Sequence, residues 1–298
     1  MRRLVRVVAL ALVLATVAST AAVTWWLRSG EVAFRVIRTD TAEVRWTPGR
    51  DLWLLLLGDD RRGQAGCGCS DAVHLVGVPA GGGSAVILNI PRDTRVAVPG
   101  AGRRRVNEAY ARGGASLAAE TVGQLVGVPI SYVVVTTFGG LRAMVDDIGG
   151  VELDLPQRIR DRNVGLDAGP GRVRFDGAQA LAFARSRKAF PDGDIRRTQN
   201  QAQLLLAMLA AVRGQGGTSA QTLLHAGSII RHTRFQGGGT ADVYRLARLA
   251  LTVDPAQIRS VVPPTRGVMV GDASMLELQP GARALFADLA DDARLQSH

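Results

Sequence analysis

Hydrophobic positions along the chain fall into short blocks whose spacing alternates between that of strands and that of helices. Leu52–Leu57, Ala72–Val78 and Ser84–Ile90 are brief, apolar and rich in leucine or β-branched residues, as expected of buried strands. The last two flank Pro79-Ala80-Gly81-Gly82-Gly83, a turn sequence that predicts a hairpin. Further strands are predicted at Tyr132–Thr136 and Val151–Leu155. Apolar residues recur at helical spacing in Ser116–Val126, Gly140–Ile148, Ala178–Ala184, Asp194–Arg213 and Asp242–Leu251. Strands and helices interleave, and the hairpin makes some neighbours antiparallel. The pattern therefore predicts an α/β protein, with one layered α-β-α domain around a mixed central sheet over residues 51–298.

The first residues follow a different pattern. Arg2, Arg3 and Arg6 precede Val7–Leu27, a run of 21 residues without a charge, long enough to cross a bilayer as a helix. Trp25 and Trp26 close it, where amphipathic rings favour the membrane interface. A cleaved leader would need its cut near the small residues Ala18–Ala22, yet the apolar run continues past them. The expectation is an uncleaved single-pass transmembrane anchor, with residues 1–28 as cytoplasmic tip and anchor and 29–50 as an extracellular stalk. The C-terminal domain then lies outside the cell membrane.

Charge changes the picture only where it clusters. The net charge of +10 comes almost wholly from arginine, Lys188 being the single lysine, so the global excess says little about nucleic acid. Cys67 and Cys69 form C-x-C, too few ligands for a four-coordinate zinc site, and read as loop cysteines that are unpaired or locally bridged. The segment 185–201, RSRKAFPDGDIRRTQNQ, gathers arginines around aspartates and runs into the apolar LLLAMLAAV.

Placed on the predicted elements, these charges converge. Asp59, Asp60, Arg61 and Arg62 follow the first strand, Asp71 sits at the start of the second, and Arg92 and Asp93 follow the third. In a meander those three positions share one edge of the sheet, a common way to build a ligand site. Arg185 and Arg187 leave one helix, and their alternation would aim both the same way along an extended chain. Asp194 is a candidate N-cap for the next helix, on which Arg197 and Gln201 share a face that Leu204, Leu205 and Met208 extend. Arginines beside a helix N-terminus favour phosphate. The apolar stripe read alone is more often a core face than a lipid groove. From the residues, the chain is an anchored, exported α/β domain with a carboxylate-plus-arginine site for a phosphate.

The stretches LLLLGDDRR, Ser70-Asp71, LNIPRDTRVAVPG, RVNEAYARGG, GVPISYVVV, DDIGGVELDLP, DGAQALAFARSRK and GDIRRTQNQ, in that order, resemble the LytR-CpsA-Psr family of cell-wall glycopolymer transferases. The resemblance implies transfer of a glycopolymer, with its sugar-side phosphate, from a polyprenyl-pyrophosphate carrier to peptidoglycan, assisted by Mg²⁺. It implies that Asp60 and Asp71 hold the metal and that Arg62, Arg92, Arg185, Arg187, Arg197 and Gln201 surround the pyrophosphate. It gives Arg92, Asp93 and Asp194 places at the reacting centre, Asp194 as a base or orienting group. Two positions depart from the family pattern. Cys69 and Asn200 stand where arginine is common, with Arg61 and Arg105 as candidates to make up the charge.

Other classes stay in view. A non-catalytic carrier-binding protein of the same fold would leave the Asp60–Asp71 pair idle. A pyrophosphate hydrolase would use the same residues with water as acceptor. A DNA-binding regulator fits neither the exported topology nor the absence of a helix-turn-helix signature.

Overall fold

A computed structural model of the protein describes residues 49–59, 68–190, 193–215 and 219–296. The expected anchor and most of the stalk lie outside these residues. So do Asp60, Arg61, Arg62 and Cys67. Among the described residues, no helix is long and apolar enough to cross a membrane.

The described residues open with the predicted meander: β1 (Leu52–Asp59), β2 (Ser70–Val78) and β3 (Ala85–Asn89), each antiparallel to the next. Gly82 and Gly83 supply the positive φ values, +66° and +77°, that let the β2–β3 turn close at Pro79. A short hairpin follows, β4 (Arg95–Val98) and β5 (Gly102–Arg105), leading into α1 (Val106–Val126). This helix starts ten residues before the predicted Ser116. Gly113 and Gly114 break it, Gly114 at φ 65° and ψ −155°, and that break hides its first half from a periodicity reading. Next come β6 (Tyr132–Thr137), α2 (Phe138–Asp147), β7 (Val151–Leu155), β8 (Ile159–Asp161), β9 (Leu166–Ala168) and β10 (Gly171–Phe175). The helix α3 (Gly177–Arg185) starts at a capping box, Asp176 and Gln179 satisfying each other's backbone N–H. The long α4 (Gly193–Gly214) and α5 (Ser219–His232) follow it. The chain closes with β11 (Thr233–Gln236), α6 (Thr240–Thr252), β12 (Ile258–Val261), the hairpin β13 (Thr265–Val270) and β14 (Ala273–Leu278), and α7 (Pro280–Asp292).

The main sheet has six strands in the order β11-β6-β1-β2-β3-β12. β6 runs parallel to β1 and β12 parallel to β3, and the remaining neighbours are antiparallel, so the sheet is mixed as expected. Its two faces are treated differently. Trp53, Leu55 and Leu57, with Val73, Leu75, Val86 and Leu88, pack against α1 and α7 as a dry core that includes Val122, Phe286 and Leu289. Trp53 lies so close over Gly77 that an added Cβ would sit 2.6 Å from its ring. The alternate residues Leu54 and Leu56, with Val76 and Ile87, face α2, α4, α5 and α6 across an apolar cavity of ≈ 320 Å³. A separate core around Phe175 and Phe183 joins α2, α3, β7 and the second half of α4.

Candidate active site

The meander brings together the strand ends named in the sequence. Asp71 lies at the start of β2, and Arg92 follows β3 across the β2–β3 pair, where Ile90 N donates to Val73 O at 3.0 Å. The Arg92 guanidinium hydrogen-bonds to Asp71 Oδ1. On its other side Arg92 Nε is 3.6 Å from Asp93 Oδ2, and Asp93 Oδ1 is 3.4 Å from Arg105 Nε. This loop is fixed from both flanks. Val106 N and Asn107 N at the start of α1 donate to the carbonyls of Thr94 and Arg92, and Leu276 N in β14 donates to that of Asp93.

The helix α4 brings the second half. Asp194 lies inside its first turn rather than capping it from outside, where the helix dipole favours a carboxylate. Arg197 Nη2 approaches Asp194 Oδ1 at 2.7 Å, and Arg187 Nη2 approaches Asp194 Oδ2 at 3.2 Å. One turn on, Gln201 Nε2 donates to the carbonyls of Ala184 (3.2 Å) and Asp71 (3.5 Å), tying α4 to α3 and β2. Arg185 has a different partner from Arg187. As the last residue of α3 it lies over the Phe138 ring, 4.9 Å from the centroid. The two arginines therefore do not share one direction, because the chain leaves the helix at Ser186, which turns inward.

The two halves feel each other electrostatically. Burial works against the Arg92 charge, but Asp71, Asp93 and Asp194 more than offset it and hold the guanidinium firmly protonated. Arg197 goes the other way. Burial and the repulsion of Arg92 lower its pKa, and Asp194 and Asp71 only partly compensate. Arg197 is 7% exposed, and its Nε and Nη2 make no hydrogen bond of good geometry. The buried side-chain atoms without a hydrogen-bond partner concentrate here: Ser70 Oγ, Arg92 Nε, Arg105 Nε, the two Arg197 nitrogens and Gln201 Oε1. Guanidinium donors on such desolvated cations suit an anionic ligand.

Of the two carboxylates expected to hold a divalent cation, Asp71 is among the described residues. Among the described residues no three His, Cys, Asp and Glu side chains cluster as a metal site. Arg92 takes one oxygen of Asp71, and no described group donates to the second, which fits a hard cation. Asp60, its expected partner, lies outside the described residues, as does Arg62. Asp59 is buried and bonded to Tyr110 Oη (3.0 Å) and Arg234 Nη2 (2.6 Å).

The two departures separate cleanly. Asn200 is buried and turned to the Phe183 carbonyl, in the α3–α4 packing. Cys69 is buried and disulfide-bonded. Arg105 stands beside Asp93, with its Nη2 bonded to Ser274 O at 2.9 Å.

Behind the charged edge the cavity-facing rows of the sheet change character in register. Leu52 pairs with Val78, Leu54 with Val76, which pairs with Ile87, and all line the cavity. The next row is Leu56, His74 and Asn89, and after it Gly58 pairs with Ala72, the neighbour of Asp71. Burial holds the His74 imidazole down at about 4. The helix α4 repeats the gradient, from Asp194, Arg197 and Gln201 to Leu205, Met208, Leu209 and Val212 in the cavity wall. Leu204, expected on the same stripe, instead packs into the Phe175–Phe183 core, since it lies on the side of α4 that meets α3 and β7.

A mixed sheet between helical layers, with an arginine–carboxylate cluster at one edge and an apolar cavity against one face, defines an α/β domain. The chain belongs to the LytR_cpsA_psr family, which matches residues 37–281. It is 33% identical over 275 residues to "Probable cell wall biosynthesis protein LcpB" of Corynebacterium glutamicum, covering 86% of this chain and 64% of that one. It is 34% identical over 178 residues to "Polyisoprenyl-teichoic acid--peptidoglycan teichoic acid transferase TagU" of Bacillus mycoides, covering 59% of this chain and 56% of that one. The chain thus spans 56% to 64% of the length of these curated relatives. The crystal structure of B. subtilis TagV superposes with a TM-score of 0.71 at 22% identity, over 83% of this chain and 99% of that one, so the two share a fold.

Proposed function

We propose that this chain transfers a cell-wall glycopolymer, with its sugar-side phosphate, from a polyprenyl-pyrophosphate carrier to a hydroxyl of peptidoglycan. The observation that carries this reading is Arg197. It is a buried cation whose local carboxylates do not balance it, at the charged end of a surface that grades into an apolar cavity. A pyrophosphate head fits the charged end, and a prenyl tail fits the apolar one. The naming of TagU as a polyisoprenyl-teichoic acid transferase supports the same class of donor.

In this reaction an acceptor hydroxyl attacks the sugar-side phosphorus. A new P–O bond forms, the bridging P–O bond breaks, and polyprenyl phosphate leaves. Arg92, Arg187 and Arg197 neutralise the charge that accumulates on the leaving phosphate. Arg62 and Arg185 would extend this ring, and Gln201 orients a phosphate oxygen. Asp194 aligns Arg187 and Arg197, Asp93 aligns Arg92, and Asp194 would serve as the base or as an orienting group for the acceptor. Mg²⁺ held by Asp60 and Asp71 would add positive charge at the same phosphates. The run Val7–Leu27 would anchor the chain in the cell membrane, with the catalytic domain outside, where lipid-linked donor and wall acceptor meet.

Purified protein incubated with lipid-linked glycopolymer and peptidoglycan should form wall-attached polymer. Asp71→Asn should remove the activity at unchanged thermal stability, and full activity of that variant would overturn the reading. Polymer released to water without attachment would identify a hydrolase. Binding without turnover would identify a carrier-binding protein.

A further inference from the structure

The turn that carries Arg187 is held by a carboxylate that none of the site motifs contains. Asp161, the last residue of β8, is only 3% exposed. Its Oδ2 accepts from three successive residues: Ser186 Oγ at 3.1 Å, Arg187 N at 2.9 Å and Lys188 N at 3.0 Å. Its Oδ1 accepts from the backbone N and Nδ2 of Asn163, both at 3.1 Å. No ion pair of Asp161 occurs among the described residues, so hydrogen-bond donors alone meet its charge. Consecutive N–H groups converging on one oxygen form an anion-holding concavity. Burial pushes the carboxyl pKa up, but these donors outweigh it and leave it at about 2.

The Asn163 contacts alone would make Asp161 an ordinary turn residue. The other three donors come from 25 to 27 residues away. They lie where α3 ends and the chain crosses to α4, the point from which Arg187 reaches Asp194. We propose that Asp161 is a positioning residue for the headgroup site: it fixes the backbone of residues 186–188 so that Arg187 stands against Asp194 and Arg197. This rests on the function proposed above, since the site is taken to bind a prenyl pyrophosphate.

The test is a double-mutant cycle read as affinity for geranylgeranyl pyrophosphate in detergent, with thermal midpoints recorded alongside. Asp161→Asn places an amide N–H against donors and should weaken binding about ten-fold. Ser186→Ala removes one donor and should weaken it about three-fold. In an Arg187→Ala background neither substitution should weaken binding further, because the side chain they position is gone. Parent-like affinity of Asp161→Asn, or equal losses with and without Arg187, would overturn the inference while the proposed function stands. If Asp161→Asn does not fold, the Ser186→Ala cycle decides on the same criterion. If the parent chain itself does not bind the probe, the proposed function falls and takes the inference with it.

Discussion

Leu54 and Leu55 are neighbours on one strand, yet they face opposite sides of the sheet. Leu55 is fully buried against α1 and α7. Leu54 is half-buried and lines a cavity. Both faces of β1 are apolar, so hydrophobicity alone does not say which is core. The difference lies in what covers each face. The helices α1 and α7 pack onto theirs, whereas α2, α4, α5 and α6 stand back from the other and leave space. Interiors of folded proteins are close-packed, so an apolar cavity of this size beside a charged edge reads as a binding surface.

The comparison is broken most strongly by truncating the packed face. Leu55→Ala should cost about 2–5 kcal/mol of stability, measured by urea unfolding, with little change in prenyl-pyrophosphate affinity for molecules that remain folded. Leu54→Ala should cost less than about 2 kcal/mol and should weaken that affinity. Equal stability losses would mean that both faces are core.

His74 sharpens the same contrast, since it is a buried base at the polar end of the cavity face. Burial holds its pKa in the folded protein down at about 4, below the ordinary histidine value of 6.5. The folded state therefore favours the neutral ring. This contribution is complete above pH 6.5 and declines as pH falls towards 4, because the unfolded chain takes up a proton that the buried ring resists. The loss should be on the order of 3 kcal/mol. Comparing unfolding midpoints across that window, His74→Met should show a shallower decline than the parent, and parallel curves would refute the assignment.

The smallest stability effect is expected from filling the cavity. Leu209→Trp, in its wall, should change stability by less than about 1 kcal/mol. It should reduce geranylgeranyl pyrophosphate binding while leaving inorganic pyrophosphate binding intact. A large loss of stability would show that the space is not free.

Much of this arrangement is legible in the chain. The strands β1, β2, β3, β6 and β7 are dense apolar blocks, and the Pro79–Gly83 turn fixes the meander that brings Asp71 to Arg92. The strands β11 and β12 were not legible. Each is a four-residue edge with a mixed pattern, and each exists only because a distant strand offers it a partner. The helix α7, whose Ala282, Phe286 and Leu289 seal the packed face, is equally unmarked in the sequence. At the site, motif order led to Asp71, Arg92, Asp93, Arg187, Asp194, Arg197 and Gln201. Two polar groups carry no legible signal. Asp161 sits in IRDRN, where an Asp two residues before an Asn signals only a turn, and its reach to Ser186 is tertiary. The Asp59–Tyr110–Arg234 contact joins three separate elements and has no local signature.

The charge-to-grease gradient along α4 also bears on what limits turnover. In the proposed reaction the prenyl tail is chemically unchanged, so Leu205, Met208, Leu209 and Val212 grip donor and spent carrier equally. Such uniform grip lowers the concentration of donor needed but cannot speed the chemical step. Discrimination between the two must come from the other end of the helix, where the carrier arrives as a pyrophosphate and departs as a monophosphate. The spent carrier should then be a competitive inhibitor, and its strength would measure how much of the affinity belongs to the tail.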